Sequence, residues 1–160
     1  MAEETTNEGI YLTKAGQEKL QKELEDLTTT KRHEIAEKLQ HAIAQGDLSE
    51  NAEYAEAKEE QAFVEGRVRE IEETLKGATI ISTGAKGSSV RVGSTVDLER
   101  VGKKTKATYT IVGVEEADPF EQRISHQSPL GMALVGHRSG EIVEVSTPNG
   151  MVKWKIKKTK

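Results

Sequence analysis

The fold is decided by nine residues near the middle of the chain, Gly46-Asp47-Leu48-Ser49-Glu50-Asn51-Ala52-Glu53-Tyr54. They interrupt two long amphipathic helical patterns and are therefore predicted to form the tip of a helical hairpin. At 1.5 Å rise per residue, the arms would hold Asp47 and Glu50 roughly 40 to 50 Å from the base of the hairpin. Carboxylates at that distance are poorly placed to serve a site within their own fold, and well placed to enter another molecule.

Each arm of the hairpin is predicted to be one long helix. Thr13 can cap the first arm, and apolar residues recur at spacings of three and four on both sides of a polar gap at Lys31 and Arg32. The second arm keeps a seven-residue pattern up to Gly77, a natural helix stop. Because the connection is short, the arms must fold back antiparallel and bury their apolar seams on each other. The seam positions are Leu20, Leu24, Leu27, Ile35, Leu39 and Ala42, followed by Ala57, Val64, Val68, Ile71 and Leu75.

From Ile80 onward the apolar period changes from helical to alternating, which is typical of strands. The last two strands flank Thr147-Pro148-Asn149-Gly150, whose Asn-Gly step suits a tight hairpin turn. Ser128 and Pro129 predict the cap and first turn of a short helix that ends at Gly136. The predicted strands cover residues 90–92, 95–101, 107–114, 141–145 and 151–157.

The sequence thus predicts an α+β protein, with an N-terminal antiparallel coiled-coil helical hairpin followed by a small α+β domain. We expect a flexible tail over residues 1–10, the hairpin over 11–77, a linker over 78–87 and the compact domain over 88–160. With 31% charged and only 4% aromatic residues, one large compact core is disfavoured.

Composition also excludes several classes of protein. The chain has no cysteine, so disulfide frameworks and thiolate zinc sites are excluded. No long apolar run indicates a membrane span or a secretory segment, so we expect a cytoplasmic protein with no membrane partner. Residues 13–77 carry 10 basic and 16 acidic side chains, whereas residues 78–160 carry 13 and 8. The basic half suits an acidic protein surface or nucleic acid, and the acidic hairpin is a poor duplex binder.

The tip acids have two interpretations. Asp47 followed three residues later by Glu50 has the spacing of a capping box, which would satisfy free amides at the start of the second helix. However, one cap residue is enough, and crowded carboxylates repel one another unless a cation offsets their charge. Oxygen ligands of this kind suit Mg²⁺, which takes one or two carboxylates together with water and substrate phosphate. In this second interpretation, the tip is half of a metal site.

A set of motifs carries a resemblance to a known family: Tyr11-Leu12-Thr13, residues 46–54, residues 57–61, residues 63–67, Ser128-Pro129-Leu130-Gly131 and Thr147-Pro148-Asn149-Gly150. Together they resemble bacterial transcript-cleavage factors of the Gre family, over nearly the whole chain after the tail. The resemblance implies that residues 88–160 form an FKBP-like domain that docks on bacterial RNA polymerase beside its secondary channel. The hairpin would then pass down that channel.

The same resemblance implies an accessory factor and not an enzyme in its own right. Such a factor activates the polymerase's Mg-dependent cleavage of backtracked nascent RNA and so rescues arrested complexes. Asp47 and Glu50 would act in the polymerase active site as ligands of a Mg²⁺ ion shared with the polymerase, which the isolated protein does not bind tightly. Paired cations there orient an attacking water and offset charge on the leaving oxygen. The separate roles of the two acids stay open.

Other tip residues are expected to contribute contacts. Ser49, Asn51 and Tyr54 are predicted to touch the polymerase, although Asn51 and Tyr54 equally suit capping and hairpin packing. Relatives often carry basic residues where this chain has Ile43 and Ser49, so long RNA fragments should be gripped weakly. Lys58 remains a candidate contact to the nascent RNA 3′ end, and equally suits an ordinary charge on a helix face. We expect the protein to be a monomer.

Three other functions compete with cleavage stimulation. The first is a channel-binding polymerase regulator or inhibitor without cleavage activity. The second is a peptidyl-prolyl isomerase, disfavoured because the second half offers only Tyr109, Phe120 and Trp154 to line an apolar pocket. The third is an interaction or holdase module that uses the hairpin without metal chemistry, which predicts that the tip acids are dispensable.

Overall fold

The computed structural model of the protein describes residues 9–47, 50–84 and 89–160. The chain divides into two compact units: Gln17–Gly77 forms one, and the residues up to Gly16 together with Ala78–Lys160 form the other. The predicted fold class is confirmed, since the helical hairpin is followed by a small mixed α+β region. Most of the predicted tail, part of the predicted linker and Ser49 lie outside the described residues.

The helices follow the two predicted arms. Helix α1 covers Lys14–Asp26, a π-helical turn covers Leu27–Lys31, helix α2 covers Arg32–Ala44 and helix α3 covers Ala52–Gly77. The first arm is therefore one continuous helical path, as predicted, but with a wider turn in its middle. In the part of the chain that the structure describes, no helix is both long and apolar enough to cross a membrane.

The wider turn corrects the phase of the apolar seam. Ile35 follows Leu27 by eight residues, one more than a heptad step. A π-helical turn takes in one extra residue and so returns the seam to the same face. The hydroxyl of Thr28 donates to the carbonyl oxygen of Leu24 at 2.7 Å, a contact that loosens regular helical bonding.

Cross-helix ion pairs show that the arms run antiparallel. Arg67 pairs with Glu23 at 2.7 Å, and the guanidinium of Arg32 makes two bonds to Glu65 at 2.7 and 2.8 Å. Glu23 on the first arm pairs with Arg67 on the second, and the later residue Arg32 pairs with the earlier residue Glu65, so the two arms run in opposite directions. Between the arms, Ile35, Val64 and Val68 form a buried cluster, with Leu24, Leu27 and Leu39 packed against it. The predicted seam is therefore the hairpin core.

The other unit contains two sheets. Strands β1 (Tyr11–Thr13) and β2 (Thr79–Ile81) pair in parallel, with Leu12 opposite Ile80. The larger sheet has the order β5-β4-β3-β7-β6, in which β4 and β5 are parallel and the other neighbours antiparallel. Its strands are β3 (Thr95–Arg100), β4 (Lys106–Val112), β5 (Arg123–Ser125), β6 (Ile142–Thr147) and β7 (Gly150–Thr159).

The larger sheet packs its apolar face against helix α4 (Pro129–Leu134). Ser128 caps this helix as predicted, because its Oγ accepts from the backbone N–H of Gly131 at 3.0 Å. The enclosed core consists of Val90, Val96, Leu98, Ile111, Leu134, Val143, Val145 and Ile156. The alternating pattern in the sequence therefore located the buried face of the sheet.

A buried polar cluster forms at the start of α1. Thr13 caps the helix, since its Oγ1 accepts from the backbone N–H of Gly16 at 3.0 Å. The carboxylate of Glu116 accepts from the backbone N–H of Thr13 at 2.6 Å and also from the Thr13 hydroxyl. A Cβ at position 16 would collide with the Glu116 carboxyl group, so the close approach requires glycine. Glu116 is only 8% exposed, and these bonds give both of its carboxyl oxygens a hydrogen-bond partner.

Some details of the strands differ from the sequence predictions. Residues 90–92 do not form a strand: Val90 exchanges backbone bonds with His137 and Gly136, and the chain then turns at Gly93, whose φ is +94°. Within the predicted linker 78–87, residues Thr79–Ile81 instead form β2. The cause is a long-range partner, because the buried Leu12 brings β1 alongside this segment.

Candidate functional site at the hairpin tip

The tip begins with a glycine that ends helix α2. The backbone N–H groups of Gln45 and Gly46 donate to the carbonyl oxygens of Ala42 and Ile43 at 3.2 and 3.3 Å. Gly46 then adopts φ +111°, a conformation that side chains with a Cβ rarely take. The space around it is open, so the backbone angle and not crowding requires glycine here. The sequence break at Gly46 is thus the point where the chain turns.

Asn51 joins the two helices at the tip. Its Oδ1 accepts from the backbone N–H of Tyr54 at 3.1 Å, which is the N-cap bond of α3. Its Nδ2 donates to the carbonyl oxygen of Ala42, near the end of α2, at 2.8 Å. One amide side chain therefore caps the second helix and also satisfies a terminal carbonyl of the first.

This arrangement bears directly on the two tip acids. Asp47 and Glu50 are both exposed, and they flank the two residues of the tip that lie outside the described part of the chain, Leu48 and Ser49. The backbone N–H of Tyr54 donates to Asn51 Oδ1, which makes Asn51 the N-cap residue of α3. The predicted polymerase contact at Ser49 cannot be placed, because this residue is outside the described ranges.

The remaining predicted tip residues have structural roles of their own. Tyr54 is half-buried and donates its backbone N–H to the cap. Lys58 is exposed on α3, where its Nζ bonds Gln61 Oε1 at 2.7 Å. Ile43, in the last turn of α2, leaves 54% of its surface exposed. The RNA contact of Lys58 and the polymerase contacts of Asn51 and Tyr54 stay predictions.

The described residues of the tip supply two candidate ligands for a cation. Carboxylate oxygens are suitable Mg²⁺ ligands, and Asp47 and Glu50 present them at the surface. Across residues 9–47, 50–84 and 89–160, no group of three or more His, Asp or Glu side chains is arranged to hold a metal ion. The donor chemistry fits Mg²⁺, but a complete coordination shell built on the tip needs ligands from outside the described residues.

The three aromatic side chains weighed for an isomerase pocket, Tyr109, Phe120 and Trp154, do not lie in similar surroundings. Tyr109 and Trp154 pack against the sheet core, whereas Phe120 is fully exposed. A prolyl isomerase site needs aromatic side chains that together enclose the imide. The structure therefore gives the isomerase interpretation no support.

The site and fold together define a helical hairpin with an acidic tip, joined to a small α+β domain. Family models match the two parts: the N-terminal domain of transcription elongation factors matches residues 10–80, and the C-terminal domain of GreA/GreB transcription elongation factors matches residues 85–160. The chain is 51% identical over 151 residues to transcription elongation factor GreA of Thermomicrobium roseum, covering 93% of this chain and 96% of that protein.

A second relative gives the same result. Transcription elongation factor GreA of Acetivibrio thermocellus is 45% identical over 152 residues, covering 94% of this chain and 96% of that protein. The chain therefore belongs to the GreA/GreB family of transcription elongation factors.

Solved structures of related proteins were also found. GreA factor homolog 1 of Thermus thermophilus is 30% identical, with a TM-score of 0.44, covering 95% of this chain and 99% of that one. A GreA/GreB elongation factor of Nitrosomonas europaea is 19% identical, with a TM-score of 0.42, covering 94% and 97% of the two chains.

Proposed function

We propose that this elongation factor binds bacterial RNA polymerase in the cytoplasm and stimulates the polymerase's own cleavage of backtracked nascent RNA. The hairpin enters the secondary channel and brings Asp47 and Glu50 to the catalytic centre. The protein hydrolyses no RNA alone, because the reacting groups belong to the polymerase. Family membership supports the choice of partner, and the exposed acids at the hairpin tip support the mechanism.

The observation that carries the proposal is the cap made by Asn51. A capping-box role was the main structural explanation for the acid pair, and Asn51 supplies the side-chain acceptor at Tyr54. Glu50 and Asp47 are exposed at the turn between the two helices. Carboxylate oxygens at the surface are ligands that a divalent cation such as Mg²⁺ accepts. This supports a role in contact with a cation held by another molecule.

In the proposed reaction the tip residues orient and stabilise. Mg²⁺, when bound between the tip and the polymerase, would supply charge stabilisation and an oriented water. The backbone turn at Gly46 and the two hydrogen bonds of Asn51 fix the ends of the two helices, and Asp47 and Glu50 lie between these two points in the chain. A fixed tip lowers the entropy cost of placing these ligands. Ser49, Asn51 and Tyr54 are proposed to contact the channel, and Lys58 the nascent RNA.

The experiment uses a stalled, backtracked polymerase complex with labelled RNA. Asp47→Ala and Glu50→Ala are compared with the parent and with Glu72→Ala, an exposed acid far along α3 from the tip. We expect each tip variant to lose about a hundredfold in cleavage rate at saturation, equivalent to about 2.7 kcal/mol of barrier. Glu72→Ala should stay within about twofold of the parent.

A control without polymerase completes the test. The parent protein incubated with RNA but without polymerase should release no fragments, because the chain lacks a complete catalytic site under the proposal. Tip variants that bind polymerase and cleave at the parental rate would refute the role of the acids. Failure of the parent to accelerate cleavage would refute the function itself.

A further inference from the structure

The outer face of the larger sheet carries most of the lysines in the second half of the chain. On β3, β4, β6 and β7, alternate side chains point away from the apolar core. Lys106 and Lys155 flank Glu99 from the two neighbouring strands, and Lys158 lies opposite Asp97. The turn between β3 and β4 adds two more exposed lysines. We define the lysine face by its eight lysines: Lys103, Lys104, Lys106, Lys153, Lys155, Lys157, Lys158 and Lys160.

The acidic side chains on this face are outnumbered. Each of three acids forms an ion pair with one lysine: Glu144 with Lys153 at 2.7 Å, Glu99 with Lys157 at 3.0 Å and Asp97 with Lys160 at 3.4 Å. The hydrogen bond from Lys157 lowers the pKa of the Glu99 carboxyl, and the charges of Lys106 and Lys155 lower it further.

The other lysines of the face have no acidic partner. Among the residues that the structure describes, ion pairs are absent at Lys103, Lys104, Lys106, Lys155 and Lys158, and all five are exposed. The three paired lysines also leave 50 to 56% of their side-chain surface exposed. The lysine face therefore keeps a surplus of five positive charges at the surface.

The composition of the lysine face favours nucleic acid as its ligand. The sequence left two partners open for the basic half, an acidic protein surface or nucleic acid. Lysine is depleted in protein–protein interfaces, whereas lysine and arginine supply many of the contacts to phosphate oxygens. The remaining acids of residues 78–160 lie outside these four strands, in residues 115–121 and at residue 141. The unpaired positive charge is thus concentrated where a phosphate backbone can meet it.

The arrangement of the lysines suits a single strand. Four neighbouring strands, spaced about 4.8 Å apart, form the face, so its lysines lie side by side across the sheet. A flexible single strand can follow such a surface, whereas a rigid duplex touches it along one side. The aromatic side chains of β4 and β7, Tyr109 and Trp154, pack on the core side, so the lysine face holds phosphates and not stacked bases. The family acts in transcription elongation, where RNA is the strand being made.

We propose that the lysine face binds the phosphate backbone of single-stranded RNA, without regard to base sequence. The proposal goes beyond the cleavage function and does not depend on it, because it concerns the free protein and RNA. It also differs from the predicted RNA contact at Lys58, which lies on the hairpin. The binding should weaken steeply with salt, since each phosphate contact releases a counterion.

The experiment titrates the full chain into fluorescently labelled RNA of about 12 nucleotides and measures Kd by anisotropy at several salt concentrations. The face variant removes three unpaired lysines together, by Lys104→Gln, Lys106→Gln and Lys155→Gln. The control variant has the same net charge and removes three exposed lysines of the hairpin unit, by Lys19→Gln, Lys22→Gln and Lys76→Gln.

The face variant should raise Kd about tenfold or more at low salt. It should also lower the slope of log Kd against log salt by about 2, since each phosphate contact on a single strand contributes about 0.7. The control variant should stay within about twofold of the parent. Arginine at the same three positions of the face should keep the parental affinity, because the charge is retained. Thermal unfolding should be nearly unchanged in each variant, because the side chains are exposed.

Several outcomes would overturn the proposal. Equal Kd values for the parent and the face variant would refute it, as would a parent that does not bind the RNA. Tighter binding to duplex DNA or to single-stranded DNA of the same length would refute the assignment to RNA. A strong preference between oligo-U and oligo-A would contradict contacts to the backbone alone. A face variant that loses affinity for the polymerase but keeps its Kd for RNA would assign the face to an acidic protein surface.

The RNA titration and the cleavage assay fail separately. The titration contains no polymerase, so loss of RNA binding in the face variant supports the lysine face whatever the tip acids do. The cleavage assay with Asp47→Ala and Glu50→Ala decides the proposed function in the same way, whatever the lysine face binds.

Discussion

The two compact units are stabilised in different ways. The sheet unit encloses eight buried apolar side chains in one compact cluster, whereas the hairpin buries its apolar side chains along a narrow seam between two helices, and charged pairs bridge the exposed sides of those helices. Burial of apolar side chains depends little on pH, while exposed ion pairs depend on pH and are screened by salt. The comparison teaches that the sheet unit should resist a fall in pH that loosens the hairpin.

The largest expected effect is in the sheet core. Ile156 is fully buried in β7, and Ile156→Ala removes apolar contacts and leaves a cavity that costs about 2 to 5 kcal/mol. Ile142→Ala removes the same side chain from a position that is 52% exposed and should cost about 0.5 kcal/mol or less. The free energy of unfolding from denaturant titration measures both. Equal costs would mean that the sheet unit is not held by its enclosed core.

A pair of glycine substitutions should change stability in opposite directions. At Gly16 an added Cβ displaces the Glu116 carboxylate and leaves buried groups of Thr13 without partners, which costs about 1 to 3 kcal/mol. At Gly66 on α3 the space is open, so Gly66→Ala should stabilise by about 0.5 to 1 kcal/mol through helix propensity. Thermal unfolding of the two variants checks the signs. Stabilisation by Gly16→Ala would contradict the buried cluster.

The tip of the hairpin should be weakened by loss of its clamp. Asn51→Ala removes the acceptor for Tyr54 and the donor to Ala42, with an expected cost of about 1 kcal/mol. Asn51→Asp keeps the acceptor but loses the donor, so it should cost less. Amide hydrogen exchange at Tyr54 reports the cap directly. Unchanged protection in Asn51→Ala would show that this side chain does not fix the tip.

The smallest expected effect concerns pH. The hydrogen bond from Arg32 lowers the pKa of the Glu65 carboxyl below its ordinary value. The stabilising contribution of this pair is therefore present above the pKa of an unfolded glutamate, about 4.3, and is lost as pH falls through the lower folded value. Glu65→Gln should lower the hairpin's stability at pH 7 and match the parent near pH 2. Glu59→Gln, an exposed acid of the same helix, controls for charge removal.

Local patterns in the sequence predicted much of this fold. The helical seam, the caps at Thr13 and Ser128 and the hairpin turn at Asn149-Gly150 each depend on residues close together in the chain, where periodicity and turn chemistry apply. The pairing of Thr13 with Glu116 spans 103 residues, and no local pattern marks it. The parallel pairing of β1 with β2 was missed for the same reason.

At the candidate site, too, the sequence predicted what depends on neighbouring residues and missed what depends on the three-dimensional structure. The sequence located the tip and its acids, but could not choose among several adjacent polar side chains for the cap, because Asp47, Ser49, Glu50 and Asn51 all favour helix starts. The three-dimensional turn selects Asn51.

The most direct test of the central claim is the Mg²⁺ dependence of cleavage in the saturated polymerase complex. If Asp47 and Glu50 hold the shared ion, Asp47→Ala and Glu50→Ala should each raise the Mg²⁺ concentration for half-maximal cleavage by about tenfold or more, since one lost ligand weakens the site. Glu72→Ala, which removes an exposed acid far from the tip, should keep the parental Mg²⁺ requirement. An unchanged Mg²⁺ requirement in both tip variants would contradict the account.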